Sequence, residues 1–201
     1  MARSSFDVEA WPDYVCTASS VLRNLGVTTA DGASLTPADG FRRWIELTWD
    51  GHVRGQHVYF VGNGASAMMA SHFAADACKN GHLGASAFND ASLVTAVGND
   101  VAFDEIFALP LGRLARAGDL LIAISSSGNS PNILRALEAA RSIPMHAVTL
   151  TGRSANNRVR ACGDLNFYVP ADRYGWVECA HQLILHYWLD QYLNLHGEGA
   201  L

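Results

Sequence analysis

The run Ile122-Ala123-Ile124-Ser125-Ser126-Ser127-Gly128-Asn129-Ser130-Pro131 constrains the chain more than any other stretch. Its apolar residues suit a buried strand, and its proline suits the first position of the helical pattern that follows. A helix N-terminus leaves backbone N–H groups free and carries partial positive charge. Four serine hydroxyls lie in the same turn. The combination predicts a site for a phosphate monoester. The alternative is an ordinary strand-to-helix turn, which has no need of four hydroxyls. A second unit of the same kind lies upstream: Val58-Tyr59-Phe60-Val61, then Gly62-Asn63-Gly64-Ala65-Ser66, then a helical pattern from Ala67. Alone, this turn is a weak signal. Gly62-x-Gly64 lacks the third glycine and the acidic residue of a dinucleotide fingerprint, and it lacks the Lys-Ser/Thr of a P-loop. Glycine relieving strain in a tight turn would explain it equally well. Two such units in one chain suggest a sugar-phosphate protein rather than an ordinary domain, and the incomplete dinucleotide and P-loop patterns set a nucleotide-binding domain aside.

At 201 residues, 49% hydrophobic and 16% charged, the chain can bury one generous core. Its net charge of −5 argues against a broad nucleic-acid or anionic-membrane surface, so anion binding must be local. Cys16, Cys78, Cys162 and Cys179 are scattered without a C-x-x-C pair and read as reduced core thiols of a cytoplasmic protein. The segment Met1 to Asp7 carries a broken, acidic pattern rather than an apolar leader. No apolar run approaches the roughly 20 residues of a membrane span.

A single domain over 1–201 is expected, with helices in residues 1–50 and an α/β core with a closing helix over 56–195. Tyr14, Ala18, Val21, Leu22 and Leu25 form one helical stripe ended by Gly26, and a loop follows from Thr28 to Ser34. Thr36-Pro37 opens a second helix with Thr36 as N-cap. Strands are predicted at 57–61, 119–124, 145–150 and 165–169, with a weaker one at 85–88 or 92–96. Helices are predicted at 66–79, 131–142, 155–161 and about 174–194. Short apolar strands joined by helices imply a parallel sheet covered on both faces.

Three further groups carry chemistry. His72 and Asp76 stand at i,i+4 on one helix face, where they can converge on a metal or substrate or simply meet solvent. Glu178 and His186 lie eight apart on the last helix, about 80° apart around its axis. His186 sits in an apolar stretch that also suits a core histidine, and His181 reads as a packing or surface residue. Val97-Gly98-Asn99-Asp100, followed by Phe103 and Ile106-Phe107, reads as an irregular loop. That loop either packs its aromatics or presents Asn99 and Asp100 to a polyol.

These segments, with Thr149-Leu150-Thr151-Gly152 and Ile184-Leu185-His186, occur in the order found in the sugar isomerase (SIS) domain family. The chain resembles that family's phosphoheptose isomerase type over most of its length. The resemblance implies a flavodoxin-like, three-layer α/β fold with a parallel sheet, preceded by N-terminal helices. It implies a homotetramer with active sites between subunits. It places the phosphate on Ser66 and on Ser125, Ser126, Ser127 and Ser130 of the serine turn, with Asn63, Gly64 and Ala65 also binding substrate, and the sugar on Asn99 and Asp100. His72, Asp76, Glu178 and His186 become the catalytic and zinc-binding centre, with Asp76 and His186 as proton carriers. The implied reaction is aldose–ketose isomerisation of sedoheptulose 7-phosphate or a related ketose phosphate. The alternative is a non-catalytic sugar-phosphate-binding or protein-interaction module. The chain departs from the family pattern at Asp76 (usually Glu), Glu178 (usually Gln), Ala65 (usually Gly), Gly175 (often Asp) and Lys79 (usually an arginine nearby).

Overall fold

The structure is a computed structural model and describes residues 10–196; the Met1 to Asp7 segment lies outside them. The described chain begins with α1 (Trp11–Arg23), β1 (Gly26–Thr29), β2 (Ser34–Leu35), α2 (Pro37–Val53) and β3 (His57–Gly62). It continues with α3 (Ala65–Lys79), β4 (Gly84–Ala87), α4 (Ala91–Asp100) and α5 (Ala108–Leu114). It ends with β5 (Leu120–Ser125), α6 (Pro131–Ser142), β6 (His146–Gly152), β7 (Leu165–Val169) and α7 (Tyr174–His196). The strands form one sheet in the order β2-β1-β7-β6-β5-β3-β4.

The five strands from β7 to β4 are parallel, and both their faces are covered. Along β5, Leu120, Ile122 and Ile124 join a core with α2, α3 and α7, while Leu121 and Ala123 join a second core with α5 and α6. This burial of every position explains why the strand reads as a continuous apolar run. Trp44 of α2 and Trp188 of α7 stack at 4.9 Å in the first core, and Trp188 Nε1 donates to Thr48 Oγ1 at 3.2 Å. Thr36 caps α2 as expected, its hydroxyl accepting from Asp39 N at 3.1 Å.

Four expectations need correction. The stretch 26–35 is not wholly loop: β1 pairs antiparallel with β7, Val27 opposite Phe167, and β2 pairs with β1. This strand exists because β7 offers an open edge, a partner about 140 residues away that local pattern does not reveal. Residues 92–96 belong to α4, whose N-cap Asp90 accepts from Leu93 N at 3.0 Å; the weak strand lies at 84–87. Residues 97–100, expected as loop, are the end of that same helix. The helix predicted over 155–161 shrinks to a 3₁₀ turn at Val159–Ala161. There the Asn157 amide donates to Ser154 O and Gly152 O, replacing helical bonds with its own.

The cysteines are unpaired, as expected, yet none is in a core: Cys16, Cys78 and Cys179 are exposed and Cys162 is half-buried. Cys78 and Cys179 each sit one residue away from a buried alanine, Ala77 and Ala180, so helical phase turns them outward. No helix among the described residues is long and apolar enough to cross a membrane.

Candidate functional site

β3 and β5 are neighbours, with Gly62 in register with Ile124. From β3 the chain crosses to β4 on one side, and from β5 to β6 on the other. The chain thus changes direction between them, and the carboxyl ends of such strands leave a crevice suited to a ligand. Both signal turns border it. A cleft of about 270 Å³ is lined by Asn63, Gly64, Ala65, Ser66, Ile124, Ser125, Ser126, Ser127 and Ser130, with Tyr174 and Glu178 from α7.

The backbone makes the cleft possible. A Cβ on Gly62 would lie 2.6 Å from the carbonyl carbon and oxygen of Ser66, so only glycine lets α3 start this close to β3. Gly64, the N-cap of α3, has φ +56. The two turns are tied by a reciprocal amide pair: Asn63 Nδ2 donates to Asn132 Oδ1, and Asn132 Nδ2 to Asn63 Oδ1, both at 2.9 Å. Asn63 therefore spends its side chain on Asn132 while lining the cleft.

The serines divide their labour. Ser125 Oγ accepts from Gly128 N at 3.2 Å and donates to Ser130 Oγ at 3.4 Å. Ser127 Oγ accepts from Asn129 N at 3.3 Å. Ser126 Oγ is buried and has no protein partner. A buried hydroxyl without a partner calls for an explanation, and a bound anion supplies one.

The second cluster lies between α3 and α7. His72 Nε2 is 3.3 Å from Asp76 Oδ2, and the His72 and His186 rings are 5.6 Å apart. One ligand atom from each of His72, Asp76 and His186 falls within 4.8 Å of the others. Phe73 packs edge-on against His186 at 4.8 Å. Glu178 stands outside this trio, in the serine cleft. The eight residues separating it from His186 advance the helix by about 12 Å, a displacement that angular phase alone does not convey. Gln182 lies midway, its Nε2 at 3.1 Å from His186 Nε2.

His181 is the packing histidine of α7. It is fully buried, shares a 3.1 Å hydrogen bond through Nε2 with Thr151 O, and burial pulls its pKa down to about 4. Asn99 and Asp100 sit exposed at the end of α4, where Asn99 Nδ2 donates to Asp100 Oδ1 at 2.7 Å; neither lines the serine cleft. Sequence reasoning missed Asn132, Tyr174 and Gln182. The i,i+4,i+8 spacing of Glu178, Gln182 and His186 could have flagged the last of them.

Residues 30–152 match the SIS domain family. The chain is 39% identical to a phosphoheptose isomerase of Bordetella avium over 150 residues, 71% of this chain and 76% of the relative. It is similar to the structure of phosphoheptose isomerase GmhA from Neisseria gonorrhoeae, with TM-score 0.80 and 31% identity over 92% of this chain and 98% of that one. A phosphoheptose isomerase from Francisella tularensis aligns with TM-score 0.81 and 27% identity over 96% of this chain and 100% of that one.

Proposed function

The chain belongs to the SIS domain family, and we propose that it is an aldose–ketose isomerase converting sedoheptulose 7-phosphate, or a closely related long-chain ketose phosphate, to the aldose phosphate. The observation that carries this reading is the pairing of two sites: a serine cleft with one buried unpartnered hydroxyl, and an acid–histidine cluster on the helices that flank it. The relatives' shared name supplies the substrate class.

Ser126, Ser66 and the neighbouring turn groups hold the phosphate at one end of the open-chain sugar. Asp76 and His186 move the protons. One removes a proton from C1 while the C2 carbonyl oxygen gains one, so that the enediolate is captured as the enediol. The proton then returns at C2 and the O1 hydroxyl gives up its own, leaving the C1 aldehyde. His72, 3.3 Å from Asp76, orients its carboxylate. Two imidazoles and a carboxylate form a donor set that fits a divalent ion such as zinc, which His72, Asp76 and His186 would hold, while Glu178 lies too far along α7 to join them. Such an ion, when bound, polarises substrate oxygens as a Lewis acid.

In this reading residues 1–201 are a single cytoplasmic domain that assembles as a homotetramer. Trp11, Met68 and Phe103, exposed at 67%, 72% and 59%, give it apolar surface to bury. Asn99 and Asp100, absent from the cleft of their own chain, meet the sugar only across a subunit interface.

The test is turnover of sedoheptulose 7-phosphate, read by NMR on the protein as purified, after chelation, and after zinc is restored. Conversion that is lost on chelation and recovered with zinc supports the metal-assisted isomerase. Conversion indifferent to chelation keeps the isomerase and removes the metal. No conversion under any condition overturns the reading for this sugar.

A further inference from the structure

The serine cleft has a charge problem. Its lining contains no lysine or arginine, yet it includes the Glu178 carboxylate. A phosphate dianion entering there meets hydroxyls, backbone N–H groups and a like charge. We infer that Arg153 is the anchoring cation of this cleft, held behind Tyr174 of its wall and delivered from there to the phosphate of the bound sugar. The inference rests on the phosphate assignment made above.

Arg153 follows Gly152, the last residue of β6. Gly152 lies against the serine turn, since a Cβ there would sit 3.3 Å from Ser126 O. Arg153 itself has φ +58, a left-handed conformation that glycine adopts freely and arginine does not. Two hydrogen bonds pin it. Arg153 N donates to Ala171 O at 2.9 Å, and Tyr168 OH donates to Arg153 O at 2.9 Å. With both backbone groups engaged, the direction of the side chain is fixed at its root.

The side chain borders a neighbouring hollow that Asp172 and Trp176 also line, and it reaches the wall of the cleft through Tyr174. Arg153 Nη1 donates to Tyr174 OH at 3.0 Å, and the guanidinium lies 4.9 Å from the centroid of the same ring. Tyr174 lines the cleft beside Glu178. Among the described residues no carboxylate forms an ion pair with Arg153, so its charge is not spent on the protein. The nearby Arg173 instead lies over Trp176, at 5.0 Å from its ring centroid. A guanidinium offers a planar fork of donors suited to two phosphate oxygens at once, while a tyrosine hydroxyl occupies only part of it. Backbone strain that glycine would relieve, in a residue whose charge lies one side chain away from an uncompensated anion site, fits a binding role.

The experiment compares the parent with Arg153→Gly, Arg153→Lys and Tyr174→Phe. Inorganic phosphate is titrated into each by calorimetry, KM and kcat are measured for sedoheptulose 7-phosphate, and the melting temperature is recorded. Arg153→Gly is expected to weaken phosphate binding and raise KM by roughly tenfold or more, the scale of a charge-assisted hydrogen bond. It keeps or raises the melting temperature, because glycine accepts the left-handed backbone. Arg153→Lys recovers part of the affinity, and Tyr174→Phe loses a smaller part. Phosphate affinity in Arg153→Gly equal to the parent's overturns the inference, whether or not the sugar turns over. A parent that binds phosphate but turns over no sugar overturns the isomerase reading alone. A parent that binds no phosphate and turns over no sugar overturns both, and in a parent that turns over sugar without binding free phosphate an unchanged KM in Arg153→Gly overturns the inference alone.

Discussion

In the proposed reaction Ser126 binds while the Asp76–His186 pair does the chemistry, and each role can be tested by substitution. Ser126 Oγ is buried with no protein partner, so Ser126→Ala removes an unsatisfied polar atom. Its stability is expected to stay within about 0.5 kcal/mol of the parent in urea denaturation, or to rise slightly, while KM for the sugar phosphate rises several-fold. Asp76→Asn and His186→Ala should instead lower kcat by roughly 10²–10⁴-fold, the usual worth of a positioned acid–base group, with KM moving less. Parent-like kcat in both variants would remove them from the proton-transfer role. The serines could be seen in sequence because four hydroxyls in one turn are chemically unusual. Asn132 could not: its partner Asn63 is 69 positions away, and only the sheet brings them to 2.9 Å.

Among the elements, α3 shows how little room the cleft allows. Its first turn approaches β3 so closely that Gly62→Ala would place a methyl 2.6 Å from the Ser66 carbonyl. Because the obstacle is backbone, it cannot rotate away. The substitution is expected to destabilise by about 1–3 kcal/mol, read as a lower urea midpoint, and to damage phosphate binding as the helix shifts. At α2, Thr36→Ala removes the hydroxyl that accepts from Asp39 N and should cost about 1 kcal/mol in the same assay without touching the site. The capped, strongly periodic helices and the fully buried strands were legible, since their signals are local. β1 was not, because a strand of four residues between β2 and β7 is defined by the neighbours it pairs with.

For the whole molecule, the buried His181 makes stability depend on pH. Burial holds it neutral, with a pKa near 4 against an ordinary 6.5. Between those values the unfolded chain takes up a proton that the folded chain refuses. Stability is therefore unaffected by this group above pH 6.5 and falls as pH drops towards 4, by at most roughly 3 kcal/mol. Half-buried His57, also lowered by burial, acts in the same direction. Urea midpoints should be flat from about pH 8 to 7 and decline below that. His181→Gln should flatten the decline, and an unchanged slope would place the proton uptake elsewhere.

What the sequence alone determined were the parts whose physics is local: a serine turn on a proline-opened helix, a glycine turn, capped amphipathic helices, and an acid and histidine one helical turn apart. From these the α/β class could be read before any coordinate, and a phosphate site could be proposed. Only the tertiary structure decided which groups meet. It set Glu178 in the cleft and not in the cluster of His72, Asp76 and His186, because eight helical residues translate as well as rotate. It also extended the sheet with β1 and β2 and placed Arg153 beside Tyr174. Those outcomes depend on how helices and strands distant in sequence dock against one another, and no spacing within a single segment encodes that.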